Sequence, residues 1–229
     1  MNTPIVILCG GLGTRLRSVV SDRPKPLALI NGRPFLDILL KKILSFDAPK
    51  IYLSVGYMAD CFEKYLQDFG LSEKIQLIEE PTKLGTGGAV NFAFKFINTE
   101  SLIILNGDSF CDIDLRKIEN VGSKFRSSVI VVNSVEDTSR YGRVELDENK
   151  SHVCDFKEKG LHGRGLINTG IYYLLKRDIL DEESYSLEKE VLAPLSKEHK
   201  LRAYISNSEF IDIGIPSDYE KAQSFFRNI

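Results

Sequence analysis

The stretch Cys9-Gly10-Gly11-Leu12-Gly13-Thr14-Arg15-Leu16 follows the short apolar run Ile5-Val6-Ile7-Leu8. The apolar run predicts a buried strand. Glycines at three of the four positions 10–13 permit positive φ, so consecutive backbone N–H groups can turn inward and surround an anion. Arg15 and Lys25 add two positive charges nearby. A strand, a glycine loop and two cations together predict a polyphosphate site.

This loop differs from the two commonest phosphate loops. A P-loop ends in Gly-Lys-Ser/Thr, whereas Gly13 is followed by Thr14-Arg15. The dinucleotide fingerprint needs a third glycine where Leu16 stands. A tight turn after a strand would explain the glycines alone, but a turn does not require Arg15 or the Pro24-Lys25-Pro26 that follows.

Three segments carry a resemblance to a known family. They are Gly10-Gly11-x-Gly13-Thr14-Arg15-Leu16, Pro24-Lys25-Pro26-Leu27 and Gly32-Arg33-Pro34-Phe35-Leu36. Together they resemble the signature of sugar-1-phosphate nucleotidylyltransferases, and most of all the D-glycero-D-manno-heptose 1-phosphate guanylyltransferase group. The resemblance implies nucleotide contacts from the loop and its strand, which are Leu8, Gly10, Gly11, Gly13, Thr14 and Arg15. It also implies that Arg15 and Lys25 are catalytic.

Composition limits the remaining options. The 229 residues make one large domain or two small ones, and 43% of them are hydrophobic, which argues against global disorder. A net charge of −2 argues against nucleic-acid binding. The four cysteines are scattered without a CxxC pair, so we expect reduced thiols in a cytoplasmic protein. We expect no signal peptide and no membrane partner, because no apolar run approaches the roughly 20 residues that span a bilayer.

The first half of the chain alternates strands with helices. We predict strands at 5–8, 51–56, 75–78 and 102–105, and helices at 34–47, 60–69 and 86–97. The strands are almost continuously apolar, which is typical of a parallel sheet covered on both faces.

After about residue 126 the pattern includes a hairpin. We predict strands at 129–132, 142–146, 153–157, 167–174, 201–205 and 210–213, a helix that begins at Ser186, and a closing helix at 216–227. We therefore predict an α/β fold, a Rossmann-like three-layer α/β/α arrangement with a mixed, mainly parallel central sheet. Residues 1–229 would form one domain, with a nucleotide-binding half at about 1–126 and a sugar-phosphate-binding half at about 127–229.

A second glycine cluster, which includes Gly85, Thr86 and Gly87, lies between a strand and a helix. Glycines there would let the backbone approach a ring or ribose, although a plain strand-to-helix turn is the alternative. The resemblance implies that this segment contacts the nucleoside. Glu80 stands where related sequences carry a base-reading side chain. An ionised carboxylate accepts hydrogen bonds and matches the N1–H and N2–H₂ of guanine, so Glu80 favours GTP. Glu79 could take this role, and a solvated loop glutamate is the other explanation.

Two aspartates are the expected metal ligands. Asp108 follows a strand near the polyphosphate site, and Asp212 is flanked by apolar residues, where a carboxylate needs a partner or a metal. The resemblance implies that this pair binds one Mg²⁺. Asp112 and Asp114 are interpreted as a loop residue and a helix cap.

The acceptor side rests mainly on the resemblance. It implies that Lys159 binds the sugar phosphate and that Glu158 binds a sugar hydroxyl, with a surface charge run as the alternative. Asn168, with Thr169 beside it, is the candidate for binding sugar hydroxyls, and Gly142 would lie near the acceptor. Arg140 and Tyr141 receive no role. The three histidines, His152, His162 and His199, are interpreted as surface residues.

These features predict transfer of a nucleotidyl group from GTP to a sugar 1-phosphate, with Mg²⁺. The resemblance makes D-glycero-D-manno-heptose 1-phosphate the expected sugar. The same chemistry with UTP or dTTP and a hexose 1-phosphate is the first alternative. A nucleotide-binding regulatory module and a nicotinamide-dependent oxidoreductase are alternatives from other classes. The oligomeric state is open, with a homodimer as one option.

Overall fold

A computed structural model describes residues 1–46 and 50–228 of the chain. The strands are β1 (Ile5–Leu8), β2 (Leu29–Ile30), β3 (Arg33–Pro34), β4 (Ile51–Val55), β5 (Ile75–Glu79), β6 (Ser101–Asn106), β7 (Ser109–Cys111), β8 (Val129–Val135), β9 (Arg143–Leu146), β10 (Val153–Lys157), β11 (Gly165–Leu175), β12 (Arg202–Ser206) and β13 (Phe210–Asp212). The α-helices are α1 (Phe35–Ile43), α2 (Ala59–Asp68), α3 (Gly85–Ile97), α4 (Leu115–Phe125), α5 (Ala193–Lys197) and α6 (Pro216–Phe225).

A nine-stranded sheet takes strands from both halves of the chain. Strands β6, β1, β4 and β5 lie side by side and parallel. Strand β11 runs antiparallel between β6 and β8, and β12 pairs with β8 in parallel. The predicted mixed, mainly parallel sheet is therefore confirmed.

Alternating side chains divide the core between the two faces of the sheet. Ile5 and Ile7 belong to one hydrophobic cluster with Phe35 of α1 and Phe62 of α2. Val6 belongs to the other cluster, on the face covered by α3 and α5. Full burial on both faces explains why the strands are apolar throughout. The three-layer α/β/α arrangement is confirmed.

A break in β11 brings the second half of the chain to the carboxyl end of β6. The register with β8 shifts between Asn168 and Tyr172, and Gly170 has a φ of +78°. A Cβ at Gly170 would lie 2.5 Å from the Nδ2 atom of Asn106. The positive φ and this close contact both favour glycine, so Gly170 lies against Asn106, the last residue of β6.

Several boundaries differ from the predictions. The first helix ends at Ile43 and continues as a 3₁₀ turn, Leu44–Phe46, while the predicted end at position 47 lies outside the described residues. The helix near Ser186 opens with a π-helical segment, Glu188–Leu192, before α5. The side chain of His152 is 24% exposed, so this histidine is partly buried at the surface.

Strands β7 and β13 form a short two-stranded ribbon, and this pairing was not predicted from the sequence. The two strands run antiparallel, with Asp212 opposite Ser109. Asp112 follows β7 as a loop residue, and Asp114 caps α4 by accepting a hydrogen bond from the Arg116 backbone N–H. The ribbon matters for the site because it connects two distant segments that each carry a predicted metal ligand.

Candidate active site

The glycine loop forms one wall of a cavity of about 320 Å³ at the carboxyl ends of β1 and β6. Gly13 has a φ of +61°, which favours glycine. The cavity collects predicted residues from four segments, which are Leu8, Gly10, Gly11, Gly13, Lys25, Glu80, Gly85, Thr86 and Asp108. Ligands in open α/β sheets bind at this edge. The structure therefore brings the two glycine segments into one site.

Lys25 and Asp108 pair with each other at this cavity. The Nζ atom of Lys25 lies 2.7 Å from Oδ2 of Asp108, and their side chains are 12% and 29% exposed. Lys25 begins a 3₁₀ turn directly after Pro24, which fixes the start of that turn. Lys25, which is expected to act on a phosphate, and Asp108, which is expected to bind metal, therefore form an ion pair.

The β7–β13 ribbon places Asp212 beside Asp108 in the backbone. Asp212 is paired with Ser109, and the Ile213 backbone N–H donates to the Asp108 carbonyl at 2.9 Å. The carboxylate of Asp212 accepts hydrogen bonds from the Gly214 N–H and from the guanidinium of Arg140. Asp108 therefore lies directly before β7 and Asp212 at the end of the neighbouring strand β13, and each carboxylate has a cation as its partner.

This donor set fits Mg²⁺ bound together with a nucleotide. Within residues 1–46 and 50–228 no cluster of three or more His, Cys, Asp and Glu residues could hold a metal ion. Mg²⁺ commonly takes one or two carboxylates and completes its shell with water and substrate phosphates. Asp108 and Asp212 supply two such carboxylates next to the polyphosphate cavity.

Glu80 packs against the glycine loop. Its Oε1 atom accepts a hydrogen bond of 2.9 Å from the Ser54 hydroxyl. A Cβ at Gly10 would lie 2.6 Å from the same oxygen, so a side chain at position 10 would displace the Glu80 carboxylate. Burial raises the pKa of the Glu80 carboxyl, and the Ser54 hydrogen bond partly opposes this. Glu79 is exposed at the end of β5, so Glu80 is the glutamate that faces the cavity.

Cys9 lies directly under this site. Its side chain is 2% exposed, and burial raises the pKa of its thiol far above the ordinary value, with Asp108 and Glu80 adding to the shift. A buried neutral thiol is a poor nucleophile. Cys9 therefore serves packing.

The second glycine cluster packs against the protein itself. A Cβ at Gly87 would lie 2.1 Å from the Tyr185 ring, and a Cβ at Gly85 would lie 2.5 Å from the Tyr185 carbonyl oxygen. The Thr86 hydroxyl donates to Glu188 and accepts from the Leu187 N–H, both at 2.9 Å. Gly85 and Thr86 line the cavity. At Gly87, however, the group that approaches the backbone closely is the Tyr185 ring and not a ligand.

Glu158 and Lys159 follow β10 at the surface. Both are exposed, and in the described part of the chain neither forms an ion pair. Gly142 has a φ of +80°, and a Cβ there would lie 2.7 Å from the Lys157 carbonyl oxygen. Gly142 therefore allows its loop to pack against the segment that presents Glu158 and Lys159.

Asn168 and Thr169 have different surroundings at the break in β11. The Asn168 Nδ2 atom donates to the Tyr172 hydroxyl at 2.8 Å, and its Oδ1 accepts from the Gly170 N–H at 2.9 Å. The Thr169 side chain is buried and donates to the Val131 carbonyl at 3.0 Å. Thr169 can therefore offer only its backbone to a substrate.

Arg15 and Thr14 are exposed in the turn after Gly13 and do not line the cavity. The sequence reasoning also missed Arg140 and Lys83, which lie beside Asp212 and in the cavity wall. The position of Arg140 directly before Tyr141-Gly142 was the one local feature that could have indicated a role for it. Nothing local in the sequence indicates its partner, which lies 72 positions away.

The comparisons with known proteins cover almost the whole chain. The family model described as nucleotidyl transferase matches residues 5–228. A D-glycero-alpha-D-manno-heptose 1-phosphate guanylyltransferase of Campylobacter jejuni is 42% identical over 217 residues, which cover 93% of this chain and 96% of the relative. The protein with the same name from Aneurinibacillus thermoaerophilus is 39% identical over 224 residues, covering 95% of this chain and 96% of the relative.

Solved structures agree with the observed fold. A crystal structure of HddC from Yersinia pseudotuberculosis complexed with GMP-PN has a TM-score of 0.86 at 38% identity and covers 98% of this chain and 100% of that one. A UDP-glucose pyrophosphorylase structure has a TM-score of 0.79 at 18% identity, with 99% of this chain and 98% of that chain covered, and shows the fold alone. Among the described residues no helix is long and apolar enough to span a membrane.

Proposed function

Because the chain belongs to the nucleotidyl transferase family, we propose that it transfers the guanylyl group of GTP to D-glycero-α-D-manno-heptose 1-phosphate. The products are a GDP-sugar and pyrophosphate. The observation that carries this proposal is the 42% identity to the Campylobacter jejuni heptose 1-phosphate guanylyltransferase over 96% of that protein's length. The cavity between the two glycine segments supports it, because the glycine loop, Lys25 and Asp108 line this cavity and Asp212 lies on the strand beside Asp108.

GTP would bind in the cavity with its phosphates on the glycine loop. The backbone N–H groups of Gly10, Gly11 and Gly13 face an anion there, and Thr14 and Arg15 close over it from the exposed turn. Glu80 would accept from N1–H and N2–H₂ of guanine. A carboxylate offers about four lone-pair sites, so its hydrogen bond with Ser54 leaves room for the base.

The sugar phosphate would bind on the second half of the chain. Lys159 would pair with the phosphate, and Glu158 and Asn168 would accept or donate hydrogen bonds at sugar hydroxyls. Thr169 and Gly142 would contribute backbone groups. The exposed position of Lys159 supports this assignment, because its ammonium has no protein carboxylate as an ion-pair partner among the described residues.

The chemistry requires positioning rather than proton transfer. A phosphate oxygen of the sugar 1-phosphate forms a bond to the α-phosphorus of GTP. The bond from that phosphorus to the β-phosphate oxygen breaks on the opposite side, and pyrophosphate leaves with the electron pair. The attacking phosphate is already ionised at neutral pH, so no general base is needed. Lys25 would neutralise the charge that builds on the α-phosphate, and Arg15 that on pyrophosphate.

Mg²⁺ would be held by Asp108 and Asp212 and would add positive charge beside the phosphates. We further propose a cytoplasmic location, in line with the four cysteines, none of which forms a disulfide in the described part of the chain. A homodimer stays a prediction, which light scattering after size-exclusion chromatography would test.

A substrate panel tests the proposed function. Pyrophosphate release is measured with GTP, UTP, dTTP, ATP and CTP, each against heptose, mannose and glucose 1-phosphates, in the presence of Mg²⁺. We expect release only with the sugar phosphate present, and fastest with GTP and the heptose. Faster release with UTP or dTTP and a hexose 1-phosphate would support the alternative enzyme. Binding of GTP without any release would support the regulatory module.

A further inference from the structure

Arg140 lies between two carboxylates from different parts of the fold. Its guanidinium donates to Asp212 at the end of β13 and pairs with Asp218 in the first turn of α6. The Asp218 side chain is only 7% exposed, and the Arg140 side chain is 27% exposed. Arginine presents a planar fork of donors that can bridge two acceptors at once. The bridge therefore fixes the orientation of Asp212 from the side of α6.

Arg140 also belongs to the loop that leads through Tyr141 and Gly142 into β9. The Arg140 guanidinium lies 4.7 Å from the centre of the Tyr141 ring, and Tyr141 packs edge-on against Phe210 of β13 at 5.7 Å. The next residue, Gly142, packs against the backbone of Lys157. Arg140 thus connects the loop next to the proposed sugar-phosphate site with the strand that ends in Asp212.

We propose that Arg140 is a positioning residue for the metal site, which holds the Asp212 carboxylate in the orientation that Mg²⁺ needs. This proposal rests on the proposed function, because it takes Asp212 as a metal ligand. Groups that hydrogen-bond to a ligating carboxylate set its orientation, and their removal typically lowers metal affinity or activity about 10–100-fold. Arg140 contacts neither substrate nor metal in this scheme.

Binding of a fluorescent GTP analogue provides a readout that does not depend on turnover. Its dissociation constant is measured in saturating Mg²⁺ and in EDTA. The constant in EDTA divided by the constant in Mg²⁺, called the metal ratio below, gives the contribution of the metal to binding. Asp212→Asn defines the ratio that remains without this ligand. We expect Arg140→Ala to lower the ratio about 10–100-fold, and Arg140→Lys to recover part of it, because lysine keeps the charge but loses the fork.

Asp218→Asn is the matched control, because it removes the structural half of the bridge and keeps the contact between Arg140 and Asp212. We expect it to lower the melting temperature and to lower the metal ratio by less than Arg140→Ala does, because the contact between Arg140 and Asp212 stays. Arg140→Ala leaves the buried Asp218 carboxylate with Lys221, at 3.2 Å, as its remaining cation, and we expect this loss of one partner to destabilise the fold. The double variant Arg140→Ala/Asp218→Asn removes that buried charge and keeps the test possible if the single variant fails to fold.

Three outcomes would overturn the proposal. If Arg140→Ala, or the double variant, keeps the wild-type ratio, Arg140 does not position the metal ligand. If Asp218→Asn lowers the ratio as much as Arg140→Ala does, Arg140 acts only through the packing of α6. If Asp212→Asn itself keeps the wild-type ratio, the metal assignment in the proposed function is wrong, whereas the other two results leave that assignment intact.

Discussion

The Lys25 ammonium lies 2.7 Å from a carboxylate oxygen of Asp108, although 83 positions separate the two residues. The pair fixes the lysine at the edge of the cavity proposed to bind the nucleotide. When a phosphate and a metal ion arrive, both charged groups gain new partners. The positions of Lys25 and Asp108 therefore support a role in the chemical step.

We expect Lys25→Ala to lower kcat by a factor of about 10²–10³, the usual effect of losing one positioned electrostatic donor. The reason is that Lys25 is the side chain proposed to neutralise the charge that builds on the α-phosphate. Initial rates of pyrophosphate release at saturating GTP and sugar phosphate would measure it. Lys64→Ala, on the exposed face of α2, is the matched control for the loss of one lysine. Near-normal turnover of the Lys25 variant would remove this residue from the mechanism.

The raised pKa of Glu80 predicts a pH dependence of GTP binding. The guanine contact needs the ionised carboxylate, and burial raises its pKa. Acidification should therefore raise the KM for GTP at a pH above the ordinary glutamate range, whereas Glu80→Gln should have a flat profile. The variant should also lose about 10–100-fold of the preference for GTP over UTP, as for a hydrogen bond to a charged group. An unchanged preference would leave Glu80 without a base-reading role.

The same shift predicts an effect on stability. A carboxyl with a raised folded-state pKa favours folding when it is protonated, and this contribution is lost as the pH rises through the folded pKa. Ionisation of Glu80 as the pH rises therefore costs stability. We expect Glu80→Gln to unfold at a higher denaturant concentration than the wild type at pH 7, with the difference shrinking on acidification. A lower midpoint at pH 7 would contradict this.

Gly87→Ala should destabilise the fold. The new Cβ would lie 2.1 Å from the Tyr185 ring, and overpacking of this kind costs about 1–3 kcal/mol. Gly11→Ala is the matched comparison for stability, because a Cβ there meets no atom within 4 Å. Urea unfolding followed by circular dichroism would measure both. Equal midpoints for the two variants would mean that Tyr185 does not pack on Gly87 as described.

Lys159→Ala should separate the two substrates. We expect the KM for the sugar phosphate to rise about 10–100-fold, the value of a hydrogen bond to a charged group, while the KM for GTP stays the same. Lys157→Ala is the control, since Lys157 pairs with Asp155 on the same strand. If the KM for GTP rises instead, Lys159 belongs to the nucleotide site.

The sequence allowed the sheet and much of the site to be predicted, because those signals are local. The run Ile5-Val6-Ile7-Leu8 is apolar because both faces are covered, and the glycines after it need positive φ or close packing at particular positions. The partners of Arg140 and Gly87 are different. Asp212 and Tyr185 are distant in the chain, and only the fold brings them together. A glycine pattern indicates a close approach without indicating what makes it.

The origin of the bridging oxygen in the product tests the central claim most directly. Heptose 1-phosphate labelled with ¹⁸O on its three nonbridging phosphate oxygens is incubated with GTP, Mg²⁺ and the enzyme, and the products are analysed by mass spectrometry. Direct attack on the α-phosphorus predicts that all the label is found in the GDP-sugar and none in pyrophosphate. Absence of a GDP-sugar, or label in pyrophosphate, would contradict the account.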